Sequence, residues 1–128
     1  MGLKIEIERD KQGDSFTVSL IGSLDTETYI EFEKKINSIL NPSVKGIILN
    51  MEGLTYISSI GLAAIFRARQ ILENNGGTLA LANLKPNIQK IFDAVKVIPE
   101  HIFATLQEAD DYLDKYIAFI NSEKNKKE

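Results

Sequence analysis

Apolar residues recur with two different periods along this chain, and their alternation restricts the possible folds more than any other feature. Positions 3–7 and 16–20 are apolar at every second residue, which is the period of a half-buried strand. The segment 11–14 between them, Lys-Gln-Gly-Asp, has the composition of a turn. The two strands are therefore predicted to form a β-hairpin.

The rest of the chain alternates between helical and strand-like segments. Further strands are predicted at 46–51, 78–82 and 101–103, where the chain is short, apolar and rich in β-branched or aromatic residues. Helices are predicted where apolar residues recur near a period of 3.6, at 26–40, 59–74 and 105–120, and from Pro86 through Phe92 before the interruption at Pro99. Asp25 or Thr26 is the expected N-cap of the first helix, and Asn41-Pro42 its stop.

These elements follow each other in the order ββαβαβαβα, which predicts an α/β fold. Strands joined through helices give a mixed β-sheet of four to five strands, flanked by four helices. We expect one domain over residues 1–120 and a disordered polar tail at 121–128, because the tail has no apolar periodicity. Ile48 and Phe66 are predicted to be core residues.

Composition excludes several classes of function. The net charge of −3 argues against a nucleic-acid partner, since phosphate binding requires a basic surface. The chain has no cysteine and one histidine, His101, so no Cys/His metal site, cofactor site or thiol nucleophile is expected. No apolar run is long enough for a membrane span and the first residues lack a secretory h-region, which predicts a cytoplasmic protein.

Two adjacent serines, Ser58 and Ser59, begin the second predicted helix directly after a strand. Free N–H groups and the helix dipole stabilise negative charge at such a position, including a phosphate on a serine. The alternative is that either serine only caps the helix, with Gly61 as a close-packing residue. The residues alone leave both interpretations open.

Residues 54–62, Leu-Thr-Tyr-Ile-Ser-Ser-Ile-Gly-Leu, resemble the signature of the bacterial anti-sigma factor antagonists, the STAS family. The loop 22–25, the Gly-Gly turn at 76–77 and the Ile-Phe-Asp of 91–93 extend this resemblance over most of the chain. The resemblance implies a STAS fold and a binding protein that is not an enzyme. In this family, an anti-sigma factor that is also a serine kinase phosphorylates the position of Ser59, and phosphorylation stops binding between the two proteins. A PP2C-type phosphatase reverses the modification.

Two residues depart from the family signature, because Ser58 replaces an aspartate and Ile60 a small residue. Ser58 is the alternative phosphorylation site. The resemblance implies a partner surface comprising Ser23, Asp25, Thr26, Glu27, Ser58, Ser59, Ile60 and Gly61. A second hypothesis is a STAS scaffold or assembly subunit without the switch. A third is a small enzyme or nucleotide-binding protein that uses the same helix N-terminus. The oligomeric state stays open.

Overall fold

A five-stranded mixed sheet organises the computed structural model, which describes residues 2–10, 13–95 and 101–126. The strands β1 to β5 are Leu3–Arg9, Ser15–Leu24, Gly46–Ile57, Thr78–Ala82 and Ile102–Phe103. The helices α1 to α4 are Tyr29–Ile39, Ser59–Asn74, Pro86–Val95 and Leu106–Lys126. The strands lie in the sheet in chain order; β1 is antiparallel to β2, and β2 to β5 are parallel. The predicted element order and mixed sheet are confirmed.

Helices cover both faces of the sheet. On one face, buried residues of β2, β3 and β4 pack against α1, α2 and α3, whose buried side chains include Phe32, Ile36, Ile65, Leu72, Ile88 and Phe92. On the other face, α4 packs Ala109, Leu113 and Ile117 onto Ile48, Ala80 and Ala82. Strands covered on both faces are apolar at successive positions, which explains why β3 and β4 lack a two-residue alternation.

The predicted burial is confirmed for Ile48 and wrong for Phe66. Ile48 is fully buried beneath α4, whereas Phe66 is only half-buried. The inward stripe of α2 is centred on Ile65, and the next residue is rotated about 100° around the helix. Phe66 therefore lies at the margin of the core, where its ring meets Phe92 of α3 edge-on at a centroid distance of 6.2 Å.

The first helix begins later than predicted, because residues 25–28 form a turn. The Thr28 hydroxyl donates to the Ser23 carbonyl at 2.8 Å and accepts the Asp25 N–H at 3.0 Å. This turn makes Thr28, and not Asp25 or Thr26, the residue before the first helical turn. The predicted stop is confirmed, since Leu40 is already extended and residues 41–42 follow it.

Two elements are longer than the sequence predicts. β3 continues six residues past the predicted end at 51, because it stays paired with β2 through two register shifts. α4 continues to Lys126, so residues 121–126 are helical and not a disordered tail; positions 127 and 128 lie outside the described residues. Polar residues such as glutamate and lysine prolong an existing helix at little cost. Within the described residues, no helix combines the length and apolar character needed to cross a membrane.

Candidate functional site

The N-terminus of α2 lies at the carboxyl edge of the sheet, immediately after β3. Ser58 is its N-cap, with an extended backbone and a hydroxyl that accepts the Gly61 N–H at 3.2 Å. Ser59 is the first helical residue, and its side chain is exposed. The structure thus gives the two serines different positions. Ser58 is used in capping, and Ser59 presents its hydroxyl to solvent.

The end of β2 packs against this helix terminus. The Leu24 carbonyl accepts the Ser58 N–H at 2.9 Å. A Cβ atom on Gly61 would lie 2.5 Å from the same carbonyl oxygen, which is closer than side chains tolerate. Gly61 is therefore a close-packing residue, as the alternative interpretation of this position expects, and its missing side chain allows α2 to begin directly against the β2 backbone.

The end of β2 and the turn that follows it form the neighbouring wall of the site. The predicted loop at 22–25 is wrong for residues 22–24, because they stay paired with β3 as the last residues of β2. Gly22 adopts a φ of +114°, and a Cβ there would meet the Gly2 carbonyl at 2.3 Å, so only glycine fits this position. The Thr55 hydroxyl donates to the Gly22 carbonyl at 3.0 Å and ties the end of β2 to β3. Further along, the Asp25 carboxylate accepts the Glu27 N–H at 3.0 Å and fixes the turn.

The predicted partner residues divide into a buried and an accessible set. Ser23 and Gly61 are buried and shape the site from within. Thr26, Glu27 and Ser59 are exposed, while Asp25, Ser58 and Ile60 are partly so. All eight lie on the segments that meet at this edge of the sheet.

Backbone N–H groups at the start of α2 can bind negative charge. Of the first four, that of Ser58 bonds to Leu24 and that of Gly61 to the Ser58 hydroxyl. Among the described residues, the N–H groups of Ser59 and Ile60 make no hydrogen bond. With the helix dipole, these two donors favour an anion at this point.

Two exposed apolar side chains belong to the same segments, and the sequence interpretation did not include them. Tyr56, at the end of β3 and three residues before Ser59, is 54% exposed; Ile30, in the first turn of α1, is 52% exposed. Large apolar residues so accessible are candidates for partner contact. The sequence signal that could have identified Tyr56 as a contact residue is its position two residues before Ser58.

Other residues considered from the sequence lie elsewhere. His101 precedes β5 and contacts Tyr112 of α4 through Nε2 and the phenol oxygen at 3.2 Å, so it lies on the α4 side of the sheet and not beside α2. On α4, Glu108, Asp110 and Asp114 are exposed, so these carboxylates lie on a solvated helix face. Within the described part of the chain, no His, Cys, Asp and Glu group could hold a metal ion.

A comparison with protein families matches residues 6–109 to the STAS domain. The chain belongs to the STAS domain family. The anti-sigma F factor antagonist of Lysinibacillus sphaericus is 29% identical over 99 residues, which are 77% of this chain and 85% of that protein. The family suggested by the sequence is therefore confirmed.

Solved STAS structures superimpose closely on this fold. The anti-sigma factor antagonist SpoIIAA in its unphosphorylated form has a TM-score of 0.75 at 24% identity, covering 88% of this chain and 97% of SpoIIAA. The phosphorylated form of SpoIIAA from Bacillus has a TM-score of 0.70 at 26% identity, covering 85% and 98%. This STAS chain is thus homologous to regulatory proteins, and one solved relative is known in two phosphorylation states.

Proposed function

We propose that this STAS domain is a non-enzymatic anti-sigma factor antagonist whose switch is phosphorylation of Ser59. In its unphosphorylated form it binds a cognate anti-sigma factor that is also a serine kinase, and thereby releases a sigma factor. A PP2C-type phosphatase returns the modified protein to the active form. This proposal rests on the different positions of the two serines. Ser58 caps α2, whereas Ser59 is exposed at the first helical position.

Phosphorylation at this place is compatible with the fold. A phosphate carries about −1.5 to −2 charges at neutral pH, and the N–H groups of Ser59 and Ile60 are available to it. Negative charge at a helix N-terminus is favourable by roughly 0.3–1 kcal/mol. The helix is therefore kept on phosphorylation, and the switch acts at the surface rather than by unfolding.

Loss of partner binding follows from desolvation. A partner docked over Tyr56 and Ile60 must cover the phosphate, and burying a charge without a compensating partner costs several kcal/mol. That cost is comparable to a large part of the roughly −8 kcal/mol of a micromolar complex. Asp25 and Glu27, on the adjacent loop, add negative charge and so offer the phosphate no countercharge.

A scaffold function without the switch is the second candidate, and Ser58 is the observation that favours it. A serine at this position caps the helix but supplies no carboxylate beside Ser59. Under this hypothesis, partner binding is constitutive and independent of any kinase.

Calorimetric titration with the anti-sigma factor of the same organism distinguishes the phosphorylation switch from the scaffold function. We expect Ser59→Ala to bind as the unmodified protein does, and Ser59→Asp to fold normally but to bind at least about tenfold more weakly, a loss of about 1.4 kcal/mol. The matched control is Ser43→Asp, which places the same charge on an exposed loop position after α1. Equal binding by Ser59→Asp and the control would support the scaffold.

A further inference from the structure

The outer edge of the sheet carries a second interaction surface. β1 is an edge strand, paired on one side with β2 in a continuous antiparallel register. At its two ends, the Ser23 N–H donates to the Gly2 carbonyl at 3.3 Å, and the Asp10 N–H donates to the Ser15 carbonyl at 3.0 Å. Even-numbered residues of this strand therefore direct their backbone groups toward β2.

In an antiparallel strand, successive residues direct their N–H and C=O groups to opposite sides. The backbone groups of Leu3, Ile5, Ile7 and Arg9 consequently point away from β2, along the open edge. Leu3 and Ile5 have their side chains in the core layer shared with the helices, and Ile7 on the same face is 37% exposed. This edge thus has a row of backbone donors and acceptors beside an apolar strip.

The opposite face of the strand is charged, with Lys4, Glu6 and Glu8 all exposed. Lys4 Nζ and Glu6 Oε2 are 3.5 Å apart, so the two opposite charges share that face. Charged edge residues are one way in which proteins prevent edge-to-edge pairing. Here, however, their order along the strand is self-complementary in one register.

We propose that β1 pairs antiparallel with β1 of a second copy of this chain, about a two-fold axis at Ile5. Because outward-facing residues must meet outward-facing residues, the axis has to pass through a residue and not between two residues. With the axis at Ile5, Lys4 lies opposite Glu6 of the second copy, and Leu3 lies opposite Ile7 of the second copy. Every charged pair within the strand is then attractive.

The other central registers bring like charges together. An axis at Lys4 opposes two lysines, and an axis at Glu8 opposes two glutamates. An axis at Glu6 also opposes two glutamates at its centre, although it places Lys4 opposite Glu8 of the second copy. An axis at Ile7 places Glu6 opposite Glu8 of the second copy. Like charges directly opposite each other destabilise a strand pair, whereas opposite charges stabilise it. Among these central registers, only the one centred on Ile5 pairs opposite charges without placing like charges opposite each other, and it also covers the exposed Ile7.

This dimer leaves the α2 site accessible. Leu3 pairs with Gly22 near the carboxyl end of β2, and Arg9 pairs with Phe16 near its amino end. An antiparallel second copy is turned end to end, so the two Ser59 sites lie at opposite ends of the joint sheet. Self-association and the proposed switch are thus independent. An experiment that contradicts one of these two proposals does not contradict the other.

Sedimentation equilibrium of the full chain tests the proposal, over concentrations up to about 1 mM. We expect the unmodified protein to show a concentration-dependent dimer. Lys4→Glu places a glutamate opposite Glu6 in both symmetry-related pairs of the dimer. The dimer dissociation constant should therefore rise at least about tenfold. The matched control is Lys90→Glu on the exposed face of α3, which changes the net charge equally and should leave dimerisation unchanged.

The double variant Lys4→Glu with Glu6→Lys restores an attractive pair and should return the dissociation constant to within about twofold of the original. Ile7→Pro removes an outward N–H without affecting pairing to β2 and should abolish the dimer. A monomer throughout the concentration range would overturn the proposal and show that the charges only protect the edge. Equal effects of Lys4→Glu and Lys90→Glu, or no recovery in the double variant, would overturn the register.

Discussion

The distinct positions of the two serines lead to different stability effects. In Ser58→Ala, the Gly61 N–H loses the hydroxyl that accepts it at 3.2 Å, at a site packed against the Leu24 carbonyl. Loss of an N-cap costs about 1 kcal/mol, with a range of roughly 0.5–2 kcal/mol. For a chain of this size, we expect the melting temperature to fall by about 3–5 °C.

Ser59→Ala is the adjacent control. The Ser59 side chain is exposed at the first helical position, so its loss should change the free energy of unfolding by no more than about 0.5 kcal/mol. Ser58→Asp keeps a capping oxygen and adds a favourable charge at the helix terminus, so it should melt at or above the original temperature. Thermal and urea unfolding followed by circular dichroism measure all three. A larger loss for Ser59→Ala than for Ser58→Ala would refute the assignment of the cap.

Three further predictions concern packing and charge, each measured by thermal or urea unfolding. Gly61→Ala should destabilise by about 1–3 kcal/mol despite the better helix propensity of alanine, because its Cβ meets the Leu24 carbonyl; no loss would contradict the close packing. Ile48→Ala should cost about 2–5 kcal/mol and more than Phe66→Ala, because only Ile48 is fully buried; the reverse order would show the burial to be wrong. Burial and the charge of Asp10 raise the pKa of Asp14 above its ordinary 3.8. The folded protein therefore loses stability as the pH rises from 3.8 through the raised pKa and Asp14 ionises. Asp14→Asn should therefore raise the melting temperature at pH 7, and this gain should vanish as the pH falls below about 3.8; a constant gain would exclude titration as its cause.

Periodicity identified the elements correctly, but their ends depended on contacts that sequence does not show. Residues 25–28 offer several good capping side chains, and the bonds of the Thr28 hydroxyl to the Ser23 carbonyl and the Asp25 N–H form the turn that delays α1 to Tyr29. The extension of β3 to Ile57 likewise depends on its pairing with β2 through register shifts. Helix and strand propensities encode neither outcome, since the first depends on the geometry of the turn after β2 and the second on pairing with a strand distant in sequence.

At the site, the sequence located the helix start but could not separate its two serines. Either hydroxyl fits a cap by composition, and the decision comes from the backbone, which is extended at Ser58 and helical from Ser59. The sequence does not predict the exposure of Tyr56, because that exposure depends on how the end of β3 emerges from the sheet. The hydrophobicity of Phe66 predicts burial but does not give its angle around α2, which leaves the ring at the margin of the core.

The central claim concerns one hydroxyl, and site-resolved mass spectrometry tests it most directly. The purified protein is incubated with ATP and the anti-sigma factor kinase of the same organism, digested, and analysed by fragmentation across residues 54–62; the phosphorylated and unmodified forms are then compared for binding to that kinase. We predict a single phosphate on Ser59, none on Ser58, and loss of binding by the modified form. A phosphate on Ser58, no phosphate on either serine, or full binding by the modified form would contradict the account.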